Sequence, residues 1–199
     1  MMTLETQRLT PTPDLLSLHQ ARATYGPGAL TLHIGPGLFA LTGDEGRGKT
    51  TTLEMLAGSL PLVAGRRSGP HACYLDLRLL ADGDLTPKSV WQRWQTQWPL
   101  WDDDLHTRLI QALGLRDHLE KSLDQLSTGS RRKVALVALL ASGATVTCLD
   151  QPYAALDKAS VNVVREFLQD MANHPSRAWV VADYEADPAL PWAGQMRLP

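Results

Sequence analysis

Short apolar runs recur along the chain, and each ends in glycine or a polar residue or is followed directly by one. They occupy residues 29–34, 38–43, 72–77, 145–150 and 178–183. Each run predicts a strand of a largely buried sheet. Residues 15–25 alternate more weakly between apolar and polar positions.

Between these runs, apolar residues recur at helical spacing. The predicted helical segments are 49–58, 86–119, 132–143 and 158–173, and the second breaks into at least two pieces around Pro99. Thr86 and Pro87 suit the first positions of a helix, and Gly58 suits the residue after its end. This order of strands and helices predicts an α/β fold with a mostly parallel sheet, a small antiparallel part on the N-terminal side and a helical insertion at about 86–125.

Composition narrows the class of protein. A chain of 199 residues with 44% hydrophobic content predicts one domain, residues 1–199. The net charge of −2 argues against a nucleic-acid partner, which usually demands a basic face. The N-terminal residues lack an apolar secretion segment, so we expect a soluble chain. Cys73 and Cys148 lie in apolar runs and are interpreted as buried free thiols of a cytosolic protein.

The run "GDEGRGKT" fits the phosphate-loop pattern G-x-x-x-x-G-K-[ST], and it follows a predicted strand and opens a predicted helix. Glycines allow consecutive backbone N–H groups to converge on phosphate oxygens. Lys49 is expected to reach the terminal phosphates, and the Thr50 hydroxyl to reach Mg²⁺. The candidate nucleotide-binding residues of the loop are Gly43, Asp44, Glu45, Gly46, Arg47, Gly48, Lys49, Thr50 and Thr51.

Three further motifs follow in order: "LSTGS" at 126–130, "TCLDQP" at 147–152 and "AALD" at 154–157. Together with the phosphate loop, they resemble the ATP-binding-cassette (ABC) ATPases over about residues 25–185. The small size and the run "ALDKASV" are most similar to the ATP-binding subunits of heme exporters used in cytochrome c maturation.

The resemblance implies a homo- or heterodimer with ATP between two subunits, Mg²⁺ as cofactor and a membrane permease as partner. Ser127 and Gly129 would contact the terminal phosphate of the partner's ATP. Asp150 would organise Mg²⁺, and Asp157 would belong to the segment that crosses the dimer. Taken alone, Ser127 also suits an ordinary helix N-cap.

Gln151 departs from the family pattern, because the residue after the aspartate is normally the glutamate that acts as general base. A neutral amide can orient water but cannot accept its proton at neutral pH.

Two other positions also differ from the family. Tyr184 falls near the place of the family's histidine, and Arg78 falls near the place of its glutamine. The signature "LSTGS" lacks the usual second glycine and final glutamine. Because several departures coincide, natural degeneracy is favoured over a single engineered substitution that would trap ATP.

Aromatic residues add two hypotheses. Trp91, Trp94 and Trp98 share one face of a predicted helix, and they serve either local packing or docking of a membrane partner's helix. Tyr25 lies upstream of the phosphate loop and could stack on adenine.

The predicted function is therefore an ATP-binding ABC subunit on the cytoplasmic face of the membrane, with weak or absent hydrolysis. A regulatory module without a permease and an active ATPase with another base remain alternatives.

Overall fold

A computed structural model describes residues 14–76 and 85–199, and all structural statements below concern these residues. The strands are β1 (Leu16–Ala23), β2 (Leu30–Ile34), β3 (Gly37–Thr42), β4 (Leu62–Ser68), β5 (Val146–Asp150), β6 (Ala178–Asp183) and β7 (Gly194–Arg197). The helices are α1 (Lys49–Ala57), α2 (Pro87–Gln97), α3 (Asp103–Ala112), α4 (Thr128–Ala141) and α5 (Lys158–Met171). Two short 3₁₀ turns, Arg116–His118 and Leu123–Gln125, lead from α3 into α4.

The strands form two sheets. A parallel sheet has the order β5-β6-β3-β7, and an antiparallel sheet has the order β2-β1-β4. The predicted α/β class, the mostly parallel sheet and the small antiparallel part are all confirmed. Because β3, β5 and β6 run in the same direction, their carboxyl ends meet at one edge, where ligands of such sheets usually bind.

The parallel sheet is buried on both faces. On β6, Trp179 and Val181 face the core formed with α4 and α5, whereas Val180 and Ala182 face the core formed with α1 and the antiparallel sheet. Alternation of this kind follows from the two-residue period of a strand. It explains why β6 reads as one continuous apolar run.

The predicted helices agree with the structure. Thr86 caps α2 through a reciprocal pair of hydrogen bonds with Ser89, and Pro87 is its first residue. The chain breaks between α2 and α3 around Pro99, as predicted. Gly58 ends α1 in the left-handed conformation, with φ of 75°.

Three features of the strands differ from the prediction. Of the predicted strand at 72–77, only Cys73 pairs with its neighbour, through bonds to Val146 and Cys148, and residue 77 lies outside the described residues. Apolar alternation cannot distinguish one paired residue from a full strand. The pattern also missed β4, which is largely exposed and interrupted by Gly65, and the short edge strand β7.

Candidate functional site

The phosphate loop joins the end of β3 to the start of α1, as predicted. Gly43, Gly46 and Gly48 have positive φ values of 149°, 75° and 89°. A Cβ atom at Gly48 would lie 2.2 Å from Cδ of Pro27. The loop therefore needs glycine at position 48 both for its backbone angle and for the close approach of the Tyr25–Pro27 turn.

The N-terminus of α1 differs from those of the other described helices. Side chains of Thr86, Asp102, Ser127 and Asp157 cap helices α2 to α5, whereas Gly48 supplies no side-chain cap to α1. The first N–H groups of a helix attract an anion when no side chain satisfies them. This end of α1 suits a phosphate.

Lys49 is buried, with only 7% of its surface exposed. Its Nζ donates to the carbonyl oxygens of Gly43, at 2.6 Å, and of Asp44, at 2.8 Å. The ammonium is thus held over the loop that would receive the phosphates.

The two predicted metal-binding residues lie together. The Thr50 hydroxyl donates to Oδ2 of Asp150 at 2.6 Å, so the end of β5 touches the start of α1. A hydroxyl and a carboxylate are the oxygen ligands that Mg²⁺ takes. Thr50 and Asp150 therefore fit the oxygen ligands that a magnesium ion would need.

Gln151 turns the chain sharply at the end of β5. Its φ of 47° is uncommon for a residue other than glycine. Two hydrogen bonds hold this conformation: the Gln151 N–H donates to Ala182 O at 2.8 Å, and Arg132 donates to Gln151 O at 2.7 Å. The backbone is thus well positioned even though the side chain is neutral.

Tyr184 follows directly after β6. Its ring centroid lies 4.7 Å from Nζ of Lys49, and its N–H donates to Oδ1 of Asp183 at 2.8 Å. Burial raises the pKa of the Asp183 carboxyl, while the Tyr184 N–H and the charge of Lys49 oppose that rise. The residue predicted at the histidine position therefore does lie beside the phosphate loop.

The "LSTGS" segment begins α4. Ser127 caps this helix, since its Oγ accepts from the Ser130 N–H at 3.0 Å. A Cβ at Gly129 would come within 2.7 Å of Ala155 O, so glycine lets the "AALD" segment pack closely against α4.

The same two segments are joined by an ion pair, in which Lys133 Nζ contacts Asp157 Oδ2 at 2.7 Å. The hydrogen bond from Lys133 holds the pKa of the Asp157 carboxyl well below its usual range.

A cavity of about 520 Å³ brings most of the predicted residues together. The predicted residues in its wall are Tyr25, Glu45, Gly46, Gly48, Lys49, Thr50, Thr51, Asp150, Gln151 and Tyr184. The loop residues Gly43, Asp44 and Arg47 do not line it, and neither do Ser127 and Gly129. Asp44 instead points outward, 72% exposed, with its Oδ1 3.7 Å from Arg197.

Sequence reasoning missed three residues of the wall, namely Gly26, Asp76 and Arg132. The Tyr-Gly-Pro-Gly turn and the basic run at the start of α4 were signals for Gly26 and Arg132. Arg78 lies outside the described residues. Tyr25 is 59% exposed on the wall, and its stacking on adenine stays a prediction.

The tryptophans divide into two kinds. Trp91 is buried, and its Nε1 donates to Val134 O at 2.9 Å, which ties α2 to α4. Trp94 and Trp98 are only partly buried and stack on each other at 6.4 Å. Trp91 is therefore a core residue, and docking remains open for the other two.

Within residues 14–76 and 85–199, no helix has both the length and the apolar character needed to cross a membrane. The same residues hold no group of three or more His, Cys, Asp or Glu side chains placed to bind a metal. Cys73 and Cys148 are free and buried, and burial raises the pKa of the Cys73 thiol to about 12.

The phosphate loop, the Thr50–Asp150 pair and the parallel sheet together define an ABC-type ATP-binding fold. The sequence model of the ABC transporter family matches residues 29–154. The chain belongs to the ABC transporter family. An ABC transporter ATP-binding protein from Pyrococcus furiosus has the same fold, with a TM-score of 0.72 and 18% identity over 92% of this chain and 96% of that one.

The chain is also similar in sequence to individual ATP-binding proteins of this family. The chain is 33% identical over 143 residues to the cytochrome c biogenesis ATP-binding export protein CcmA of Cereibacter sphaeroides, covering 67% of this chain and 68% of that protein. It is 29% identical to CcmA of Xylella fastidiosa, covering 78% of each. It is also 30% identical to the thiamine import ATP-binding protein ThiQ of Histophilus somni, covering 63% of this chain and 66% of that one. Among these and other CcmA relatives, the match spans between 59% and 78% of the relative.

Proposed function

We propose that this chain is the nucleotide-binding subunit of an ABC transporter that holds ATP and Mg²⁺ but hydrolyses ATP slowly. One observation carries the proposal. The Thr50–Asp150 contact of 2.6 Å sits beside the phosphate loop, and the neutral Gln151 follows directly at the place of the general base.

The binding part of the proposal rests on convergent groups. Lys49, the uncapped start of α1 and the Thr50–Asp150 pair all face one cavity. Bound Mg²⁺ would offset negative charge on the phosphate oxygens. The chain's own groups would orient the phosphates through N–H donors and one ammonium, which is how phosphate loops act.

The slow-turnover part rests on the other wall of the cavity. Gln151 can orient an attacking water, but its amide cannot take the proton. Tyr184, which falls near the place of the family's histidine, carries no imidazole. Loss of a general base typically costs about 10²–10⁴-fold in rate.

The proposed dimer rests on the position of the "LSTGS" segment. Ser127 and Gly129 lie away from the cavity of their own chain, so a second ABC subunit would be needed to bring such a segment to the bound ATP. We propose that residues 1–199 form one nucleotide-binding domain that dimerises on ATP. A homodimer and a heterodimer both satisfy this arrangement.

Relatives named for cytochrome c biogenesis export and for thiamine import support a membrane permease as partner. The CcmA likeness favours export of heme or a related group in cytochrome c maturation. Trp94 and Trp98 are the proposed docking residues. The subunit would then sit on the inner face of the cell membrane.

The decisive experiment measures binding and turnover separately. Calorimetric titration of the purified chain with Mg·ATP should show binding. Lys49→Ala should weaken it about 10- to 150-fold, since hydrogen bonds to charged groups contribute about 1.5–3 kcal/mol each. Lys158→Ala, an exposed lysine at the start of α5, is the matched control and should bind normally.

A single-turnover assay of the same protein should show hydrolysis at least about 10²-fold below an ordinary family member. Turnover at ordinary rates that Lys49→Ala abolishes would contradict the slow-turnover proposal. Equal ATP affinity in wild type and Lys49→Ala would remove the binding proposal itself.

A further inference from the structure

Lys49 has its hydrogen-bonding capacity largely committed inside the chain. An ammonium carries three N–H donors, and two of them reach the carbonyl oxygens of Gly43 and Asp44. The ring of Tyr184 covers the ammonium, with its centroid 4.7 Å from Nζ. That distance lies within the range of a cation–π contact, about 6 Å.

The ring follows directly after β6, and the ammonium belongs to the first residue of α1, which the phosphate loop joins to the neighbouring strand β3. Thr42, which leads into the phosphate loop, pairs with Asp183, and Tyr184 is the next residue. The N–H of Tyr184 donates to Asp183 Oδ1, while the residue as a whole is 46% exposed at the cavity wall. The backbone is therefore anchored, and the ring has room to turn towards solvent.

A phosphate oxygen bonded to Lys49 must approach Nζ to about 2.7–2.9 Å. The Gly43 and Asp44 carbonyls occupy two directions around this nitrogen, and the tyrosine ring covers it as well. A phosphate that uses the remaining N–H thus meets the ring. The contact between the Tyr184 ring and Lys49 therefore competes with the hydrogen bond from Lys49 to a phosphate oxygen of the nucleotide.

We propose that Tyr184 is a latch on Lys49, a residue that sets nucleotide affinity by covering the ammonium until a phosphate displaces its ring. The inference rests on the proposed function, because it concerns the same cavity. A cation–π contact of this kind is equivalent to about 2- to 30-fold in affinity.

The test compares variants of the full chain by calorimetric titration with Mg·ATP. Tyr184→Leu removes the aromatic face and should raise ATP affinity about 2- to 30-fold. Tyr184→Phe keeps the face and should match wild type. Tyr25→Leu is a contrasting variant and not a neutral control, since Tyr25 lines the same cavity, is predicted to stack on adenine and has no ring contact with Lys49 among the described interactions. It should not raise affinity.

A second measurement tests, in the absence of nucleotide, how well the Tyr184 ring covers the Lys49 ammonium. Acetylation of Lys49 by acetic anhydride, followed by mass spectrometry, should be faster in Tyr184→Leu than in wild type. The exposed Lys158 provides the internal reference. Tyr184→Phe should label at the wild-type rate, because its ring still covers the ammonium.

Unchanged or weaker ATP binding by Tyr184→Leu, with unchanged labelling of Lys49, would overturn the latch. If Tyr184→Phe behaved like Tyr184→Leu, the hydroxyl rather than the ring would be responsible, and the proposal would also fail. A wild-type chain that binds no ATP would instead refute the proposed function, and the labelling would still decide on the latch.

Discussion

The nucleotide cavity has two sides, the phosphate loop with the start of α1 and the ends of β5 and β6, and the two differ in how closely their residues match the ABC family pattern. On the side of the phosphate loop, every residue type that phosphate binding needs is present: positive-φ glycines, an uncapped helix start, Lys49 and Thr50. At the ends of β5 and β6, the backbone N–H groups of Gln151 and Tyr184 are hydrogen-bonded, and these are the two residues that we propose stand in place of the family's glutamate and histidine. The proposed function therefore treats ATP binding and ATP turnover as separable properties of one cavity, because they depend on different chemistry.

The largest effect is expected from a variant that supplies a general base at position 151. Gln151→Glu keeps the size of the side chain and the φ of 47°, so the backbone should not change. We expect single-turnover hydrolysis to rise by at least about 10-fold, short of the 10²–10⁴-fold that a general base supplies, since Tyr184 still lacks an imidazole. Gln151→Glu combined with Tyr184→His should exceed the single variant.

Gln151→Asn is the control, because it stays neutral and should remain slow. No gain from Gln151→Glu, either alone or with Tyr184→His, would show that the base lies elsewhere and that the two sides do not differ as argued.

The next test changes the phosphate loop at Gly48. Gly48→Ala places a methyl group 2.2 Å from Cδ of Pro27 in addition to straining a φ of 89°. We expect ATP affinity to fall by at least about 10-fold, since left-handed backbone alone costs about 1–2 kcal/mol and the Tyr25–Pro27 turn must also move.

Gly46→Ala is the matched control for that change. Its φ of 75° is also positive, yet nothing lies within 4 Å of the added carbon. Gly46→Ala should therefore weaken ATP binding less than Gly48→Ala in the same titration. Equal losses would mean that backbone strain, and not the packed turn, controls the loop.

The sequence predicted the binding side better than the turnover side for a physical reason. The phosphate loop is a local motif: its glycines, lysine and helix start are contiguous, so their relation follows from chain geometry. Asp150 and Gln151 were placed because a buried strand leads to them. Tyr184 could be placed only by its position after β6, and its ring contact with Lys49 depends on the side-by-side pairing of β3 and β6.

The features that the sequence did not predict depend on tertiary contacts or lack a periodic signal. Arg132 reaches the cavity because α4 packs against the end of β5, and no spacing along the chain encodes that approach. Strand β4 is largely exposed, so its side chains carry little apolar alternation. Strand β7 is short and pairs along one edge of the parallel sheet, so four residues supply too little pattern.

The smallest effect on ATP affinity and turnover is expected from a change at residues that do not line the cavity. Trp94 of α2 and Trp98, the residue directly after α2, stack on each other and are only partly buried. The double change Trp94→Ala and Trp98→Ala should leave ATP affinity and turnover within about 2-fold of wild type, and loss of the stacked pair should lower stability by only about 0.5–1.5 kcal/mol beyond the lost burial. It should, however, abolish recovery of the chain with a permease from detergent-solubilised membranes.

Trp91→Ala is the contrasting variant, because removal of a buried tryptophan should cost about 3–5 kcal/mol and unfold part of the protein's population on heating. If the double variant still co-purifies with a membrane protein as wild type does, Trp94 and Trp98 serve only local packing, and the docking surface lies elsewhere on the chain.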